Sequence, residues 1–130
     1  MIRKDYFLKV IQQLTQVIAR ALKLSHSGDP KVALELLDEQ YQKLLEEQSE
    51  ALADRPVEAL AQQYDEGQLT LLADLLAAEG EILMASHEEE AARIRLAKSL
   101  ALFQHLNQVQ QVFDFEREAK MQRIQVWLER

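Results

Sequence analysis

Apolar residues recur at three- and four-residue steps through most of this 130-residue chain, and the recurrence breaks at only a few places. The first run, from about Arg3 to Leu24, carries Phe7, Val10, Ile11, Leu14, Val17, Ile18, Ala21 and Leu22 at that spacing. Such steps gather side chains on one broad face of an α-helix, whereas a strand needs alternation. The chain has just three glycines and two prolines, so little stands in the way of long helices. The remaining positions are filled largely by Leu, Ala, Glu, Gln, Lys and Arg, which lose little side-chain freedom in a helix. An all-α fold follows.

The breaks divide that fold into hairpins. Ser25-His26-Ser27-Gly28-Asp29-Pro30 stops the first run, with Gly28 suited to a left-handed helix end, Asp29 to an N-cap and Pro30 to the first helical position. A second helix, about Pro30 to Glu47, sets Ala33, Leu37, Tyr41 and Leu44 on one face. The pattern weakens over Gln48 to Gly67, where Asp54-Arg55-Pro56 signals one short helix that ends near Gly67. Gln68 to Ala85 is apolar all round and predicts a central helix packed on several sides. Gly80 lies inside it, at about 1 kcal/mol relative to Ala, which implies close approach by a neighbour. Ser86-His87-Glu88-Glu89 matches a capping box. A fifth helix bearing Ala92, Leu96, Leu100 and Phe103 then fades near Asn107, and a last one runs from about Gln108 to Glu129. The expected organisation is one domain over 1–130: hairpin 3–47, irregular insert 48–67, hairpin 68–106 and C-terminal helix 108–129. It comprises about five to six helices in stacked antiparallel hairpins, with right-handed superhelical or bundle-like packing.

A formal net charge of −7 disfavours nucleic-acid phosphates and anionic lipid, and the basic stretches Arg3-Lys4 and Arg117 to Arg130 are interleaved with acids. No nucleic-acid or membrane partner is expected. The absence of cysteine excludes disulfides, thiol catalysis and Cys-ligated metals. The opening residues show no signal-peptide core, and no run of about 20 apolar residues follows, so a cytoplasmic protein is expected.

Leu24…Gly28-Asp29…Ala33…Leu37 aligns with Leu83…His87-Glu88…Ala92…Leu96 at equal offsets. This pattern resembles the tetratricopeptide repeat, in which a bulky residue precedes the turn and an Ala in the second helix lets the pair close up. Ala33 and Ala92 are 59 residues apart instead of ~34, and His87 stands where Gly is usual. The opening Met1-Ile2-Arg3-Lys4-Asp5-Tyr6-Phe7-Leu8, the Gly-Asp turn and Ala-Leu-Glu-Leu-Leu-Asp also resemble a family of short uncharacterised bacterial proteins. That likeness extends through Gly80-Glu81-Ile82 and supplies no activity or cofactor. In tetratricopeptide-like packing the first helix of each hairpin lines a groove, which nominates Thr15, Ile18, Leu22, Asp74, Ala77, Glu81 and Met84.

Reactive constellations are missing. His26, His87 and His105 have no spacing that sets two metal ligands on one helix face, and their positions suit turns and a helix end. Glu79 and Glu81 interrupt the apolar central helix; they read either as a pair of solvated residues on its exposed edge or as a pair of which one faces a groove. No phosphate loop, nucleophile elbow or Walker sequence occurs. A non-enzyme without metal or cofactor is expected. Among aromatics, Tyr6 and Tyr41 are assigned to the core, while Trp127, three residues from the end, is the candidate interface anchor. The leading functional expectation is a non-catalytic module or scaffold for a protein or peptide partner. Its rival is a structural homodimer through helix 1, along Phe7, Val10, Leu14, Val17, Ala21 and Leu24, or through the C-terminal helix. Small-molecule binding is the remote third.

Overall fold

The computed structural model describes residues 4–130; Met1, Ile2 and Arg3, which open the bacterial-family motif and the last of which begins the first expected hairpin, lie outside them. Among the described residues the chain is all-helical, in the order α1 (Lys4–His26), α2 (Pro30–Leu45), α3 (Ser49–Asp54), α4 (Val57–Gln63), α5 (Glu66–Ala85), α6 (Glu89–Gln110) and α7 (Phe115–Leu128). Helix α5 is the axis. It packs against α1, α2, α4 and α6, and Leu69, Leu71, Leu72, Leu75, Leu76 and Ile82 are almost completely removed from water. A helix apolar on every side has no other stable place than the centre.

The α1–α2 and α5–α6 turns are built alike. In the first, Asp29 N–H donates to Leu24 O at 2.9 Å and Gly28 N–H to Ser25 O at 3.2 Å; in the second, Glu88 N–H donates to Leu83 O at 2.9 Å and His87 N–H to Met84 O at 3.1 Å. Each pair of bonds closes a helix through a left-handed residue, Gly28 at φ 91° and His87 at φ 64°. Beyond each turn the small residue and its large partner, Ala33 with Leu37 and Ala92 with Leu96, are fully buried. Ser86 is not the N-cap of α6. It ends α5 with its hydroxyl donating to Ile82 O, and Glu88 takes the cap position without a side-chain bond. The left-handed turn at His87 places Ser86 on the wrong side of the boundary for the expected capping box.

A capping box does form at the start of α5. Asp65 accepts from Gln68 N–H at 2.8 Å, and the Gln68 side chain accepts from Asp65 N–H at 3.1 Å. Gly67 therefore lies inside the first turn of α5 rather than ending a short helix. Its lack of a side chain serves packing, since a Cβ there would sit 3.0 Å from Phe7 Cε1. The insert holds two short helices instead of one, and Leu52, Ala53, Leu60 and Tyr64 close the core. A bidentate Arg55–Glu47 ion pair and the Tyr64 hydroxyl, which donates to Leu45 O and Glu47, tie it to the end of α2.

The C-terminal boundary also differs from expectation. Helix α6 continues to Gln110, Gln111 turns left-handed at φ 52°, and Asp114 caps α7 by accepting from Arg117 N–H at 3.1 Å. Val112 and Phe113 consequently lie in the linker, exposed, and Phe113 meets Phe115 edge to face at 4.7 Å. No glycine or proline marks this break. Among the described residues no helix is long and apolar enough to cross a membrane.

Candidate functional site

Helices α1, α5 and α7 enclose a cleft of about 230 Å³. Its walls follow from helical periodicity: Thr15, Ile18 and Leu22 succeed one another along α1, Asp74, Ala77, Ala78 and Glu81 along α5, and Lys120, Arg123 and Ile124 along α7. Six of the seven residues nominated for a groove thus meet in one place. Met84 does not, because it lies half-buried against the core near the end of α5. The three α7 residues were not foreseen, although their spacing of three and four in a charged segment already puts them on one helix face.

Charge in the cleft is layered. Lys120 Nζ lies 2.9 Å from Asp74 Oδ1, and Arg123 pairs with Glu81; the basic side chains are 47% and 66% exposed against 8% and 15% for the acids. The acids are therefore screened by their partners and solvent meets the cations. Burial pushes the Asp74 carboxyl above its usual value, against the opposing pull of Lys120 and Arg117. The Thr15 hydroxyl donates back to Ile11 O at 2.8 Å and so acts as part of its own helix. What remains for a ligand is an apolar floor of Ala77, Ala78, Ile18, Leu22 and Ile124 beneath a rim of two ion pairs whose cations are outermost.

Trp127, the candidate anchor, is half-buried. Its indole packs against the core, its N–H donates to Glu81 at 3.3 Å, and the Arg130 guanidinium lies 4.3 Å above the ring. It is occupied within the chain. Tyr6, assigned to the core, is instead 59% exposed, because it lies off the α1 face that meets α2 and α5, whereas Tyr41 is wholly buried as expected. The helix-1 seam proposed for a homodimer is used internally: Leu14 and Ala21 are buried, and Phe7, Val10 and Leu24 pack against the core.

Of the two carboxylates on α5, Glu81 faces the cleft, whereas Glu79 lies inside the fold and not on a solvated edge. Glu79 is buried at 6% exposure and accepts from Tyr41 Oη at 2.9 Å, Ser49 Oγ at 2.9 Å and Arg95 Nε at 3.2 Å. Burial first, then the Glu79 charge, raises the Tyr41 hydroxyl well above its ordinary pKa. This cluster joins α2, α3, α5 and α6 and satisfies its own hydrogen bonds. Among the described residues no group of three or more His, Asp or Glu is arranged to hold a metal ion.

Compared with known proteins, the chain matches no family model, and no curated protein or solved structure is significantly similar to it.

Proposed function

We propose that the protein is a non-catalytic interaction module of tetratricopeptide-like helical hairpins that holds a side chain of a protein or peptide partner in the α1–α5–α7 cleft. The observation that carries this reading is the cleft itself, an apolar floor under a charged rim on the faces that hairpin stacking turns inward. Two like-built turns, each followed by a buried Ala, support the hairpin comparison. Size decides the kind of ligand. Small-molecule and cofactor sites run from ≈ 300 to 1,000 Å³, whereas a cavity of ≈ 150 Å³ accommodates a benzene ring. At about 230 Å³ the cleft matches one aromatic or branched aliphatic side chain, the usual anchor of a protein interface.

The test is selection from a displayed library of random peptides, followed by titration of the binders against the protein and against Ala77→Phe, which fills the floor. Binders should carry a large apolar residue and lose at least tenfold in affinity on the variant while its helical circular dichroism is unchanged. Equal affinity for both proteins would remove the cleft as the binding site.

A further inference from the structure

No glycine or proline follows Gly80, so the residues from Glu89 to Leu128 are compatible with one continuous helix, yet α6 stops at Gln110 and α7 starts at Phe115. The turn between them is unfavourable in two respects. Gln111 is left-handed at φ 52°, a conformation that glycine adopts freely and a residue with a Cβ does not. Val112, Phe113 and Phe115 are 64%, 65% and 82% exposed, beside Val109 at 48%. Beyond the turn, α7 is fastened to residues that precede it in the chain. Lys120 pairs with Asp74 and Arg123 with Glu81. The Arg117 guanidinium donates to Asn107 Oδ1 at 3.1 Å, and Arg93 donates to Leu128 O at 2.7 Å. Met121 and Ile124 add the buried apolar contacts.

We propose that two copies of the chain exchange α7. Gln111 to Asp114 become helical, α6 and α7 run on as one helix, and the α7 of each chain docks on α1, α5 and α6 of its twin. The third wall of each cleft then comes from the second copy. This holds whether or not the cleft takes a ligand, since both forms present the same walls. Each contact that fastens α7 is remade by the same residues, so the exchange leaves the core as it is and the balance is decided at the hinge. Opening the hinge removes the left-handed Gln111 and extends the helical hydrogen-bond ladder. It also puts Val112 three and Phe113 four residues beyond Val109 on one helix face, where the two hinges meet at the dimer axis and cover each other. Against opening stand the Asp114 cap, which a continuous helix loses, and the freedom lost on association. The two ion pairs select the occupant: a foreign helix would need both cations at this spacing, whereas a second copy carries them by construction.

The absence of cysteine lets the exchange be detected by cross-linking. Chains bearing Glu81→Cys and chains bearing Arg123→Cys are mixed in urea, refolded together and treated with a short bismaleimide. Because Glu81 and Arg123 meet across the cleft, a link between the two kinds of chain requires α7 of one to lie on α5 of the other. A linked dimer on a denaturing gel is the expected result. Sedimentation equilibrium of the unmodified chain should show monomer and dimer in exchange at high micromolar concentration. Gln111→Gly, which relaxes the turn and weakens a continuous helix, should weaken dimerisation at least tenfold, and Asp114→Ala, which removes a cap only the closed form uses, should strengthen it at least tenfold. A monomeric mass for both the unmodified chain and Asp114→Ala overturns the proposal. A dimer without the inter-chain link, or one that neither hinge substitution changes, overturns it equally, since the twin would then sit on the outer surface with α7 in place.

Discussion

At His87 the backbone takes φ 64° at the position where the first hairpin has Gly28. A left-handed conformation costs an L-residue with a Cβ roughly 1–2 kcal/mol, a cost glycine escapes at some loss of chain entropy. His87→Gly should therefore raise stability by about 0.5–1 kcal/mol, read as a higher urea midpoint with an unchanged slope. Glu47 offers a second residue-level test. Hydrogen bonds from Arg55 first and Tyr64 second lower its pKa from 4.5 to about 2. A carboxylate depressed in the folded state adds stability that is complete above the unfolded pKa and is lost as pH falls through the folded one. The advantage of wild type over Glu47→Gln in urea should thus be full at pH 7 and shrink between about pH 4.5 and 2. A gap independent of pH would show that the carboxylate's charge is not what holds the insert to α2.

Helix α5 meets α6 through Gly80. A Cβ there would lie 2.5 Å from Leu96 Cγ and 3.3 Å from Ala92 O, so the helices touch where no larger residue fits. Alanine is the better helix former by about 1 kcal/mol, but overpacking a filled core costs typically 1–3 kcal/mol, and Leu96 is fully buried with no space to retreat. Gly80→Ala should lower the thermal midpoint, and Leu96→Ala in the same chain should recover part of that loss relative to Leu96→Ala alone. Such a close approach was legible in the sequence, because a glycine inside a strongly apolar helix needs a neighbour to explain it. The α6–α7 break was not legible. It depends on a left-handed Gln111 and an Asp114 cap, residues common enough within helical segments that a continuous last helix from Gln108 is the simpler reading of the letters.

Across the molecule, the Glu79 carboxylate is where four helices are held in one arrangement. Tyr41 of α2, Ser49 of α3 and Arg95 of α6 all donate to this one group on α5. Removing one member of a buried ion pair leaves its partner's charge uncompensated, at about 3–5 kcal/mol, a large share of the 5–15 kcal/mol by which single domains are stable. Glu79→Gln should thus lose most of the cooperative thermal transition, whereas Phe115→Ser, at an 82% exposed site, should stay within about 0.5 kcal/mol of wild type. If Glu79→Gln melts like wild type, the cluster is a passenger in the core and apolar packing alone orders the helices.

The sequence by itself determined the all-helical character, the two hairpin turns and the central place of α5, though not the division of the insert into α3 and α4 or the α6–α7 break, because period, capping residues and all-round apolarity act over a few residues at a time. It also marked the α1 and α5 faces that line the cleft, since residues three and four apart share a helix face wherever that helix is packed. Only the tertiary structure decided that α7 supplies the third wall, that Trp127 is half-covered and Tyr6 exposed, and that Glu79 is buried while Glu81 lies at the rim of the cleft. Those outcomes depend on which helix lies beside which. Charged side chains such as Arg95, Lys120 and Arg123 have the same local pattern whether they meet water or a carboxylate 16 to 46 residues away along the chain, as Asp74, Glu79 and Glu81 do not announce their partners in their own neighbourhoods.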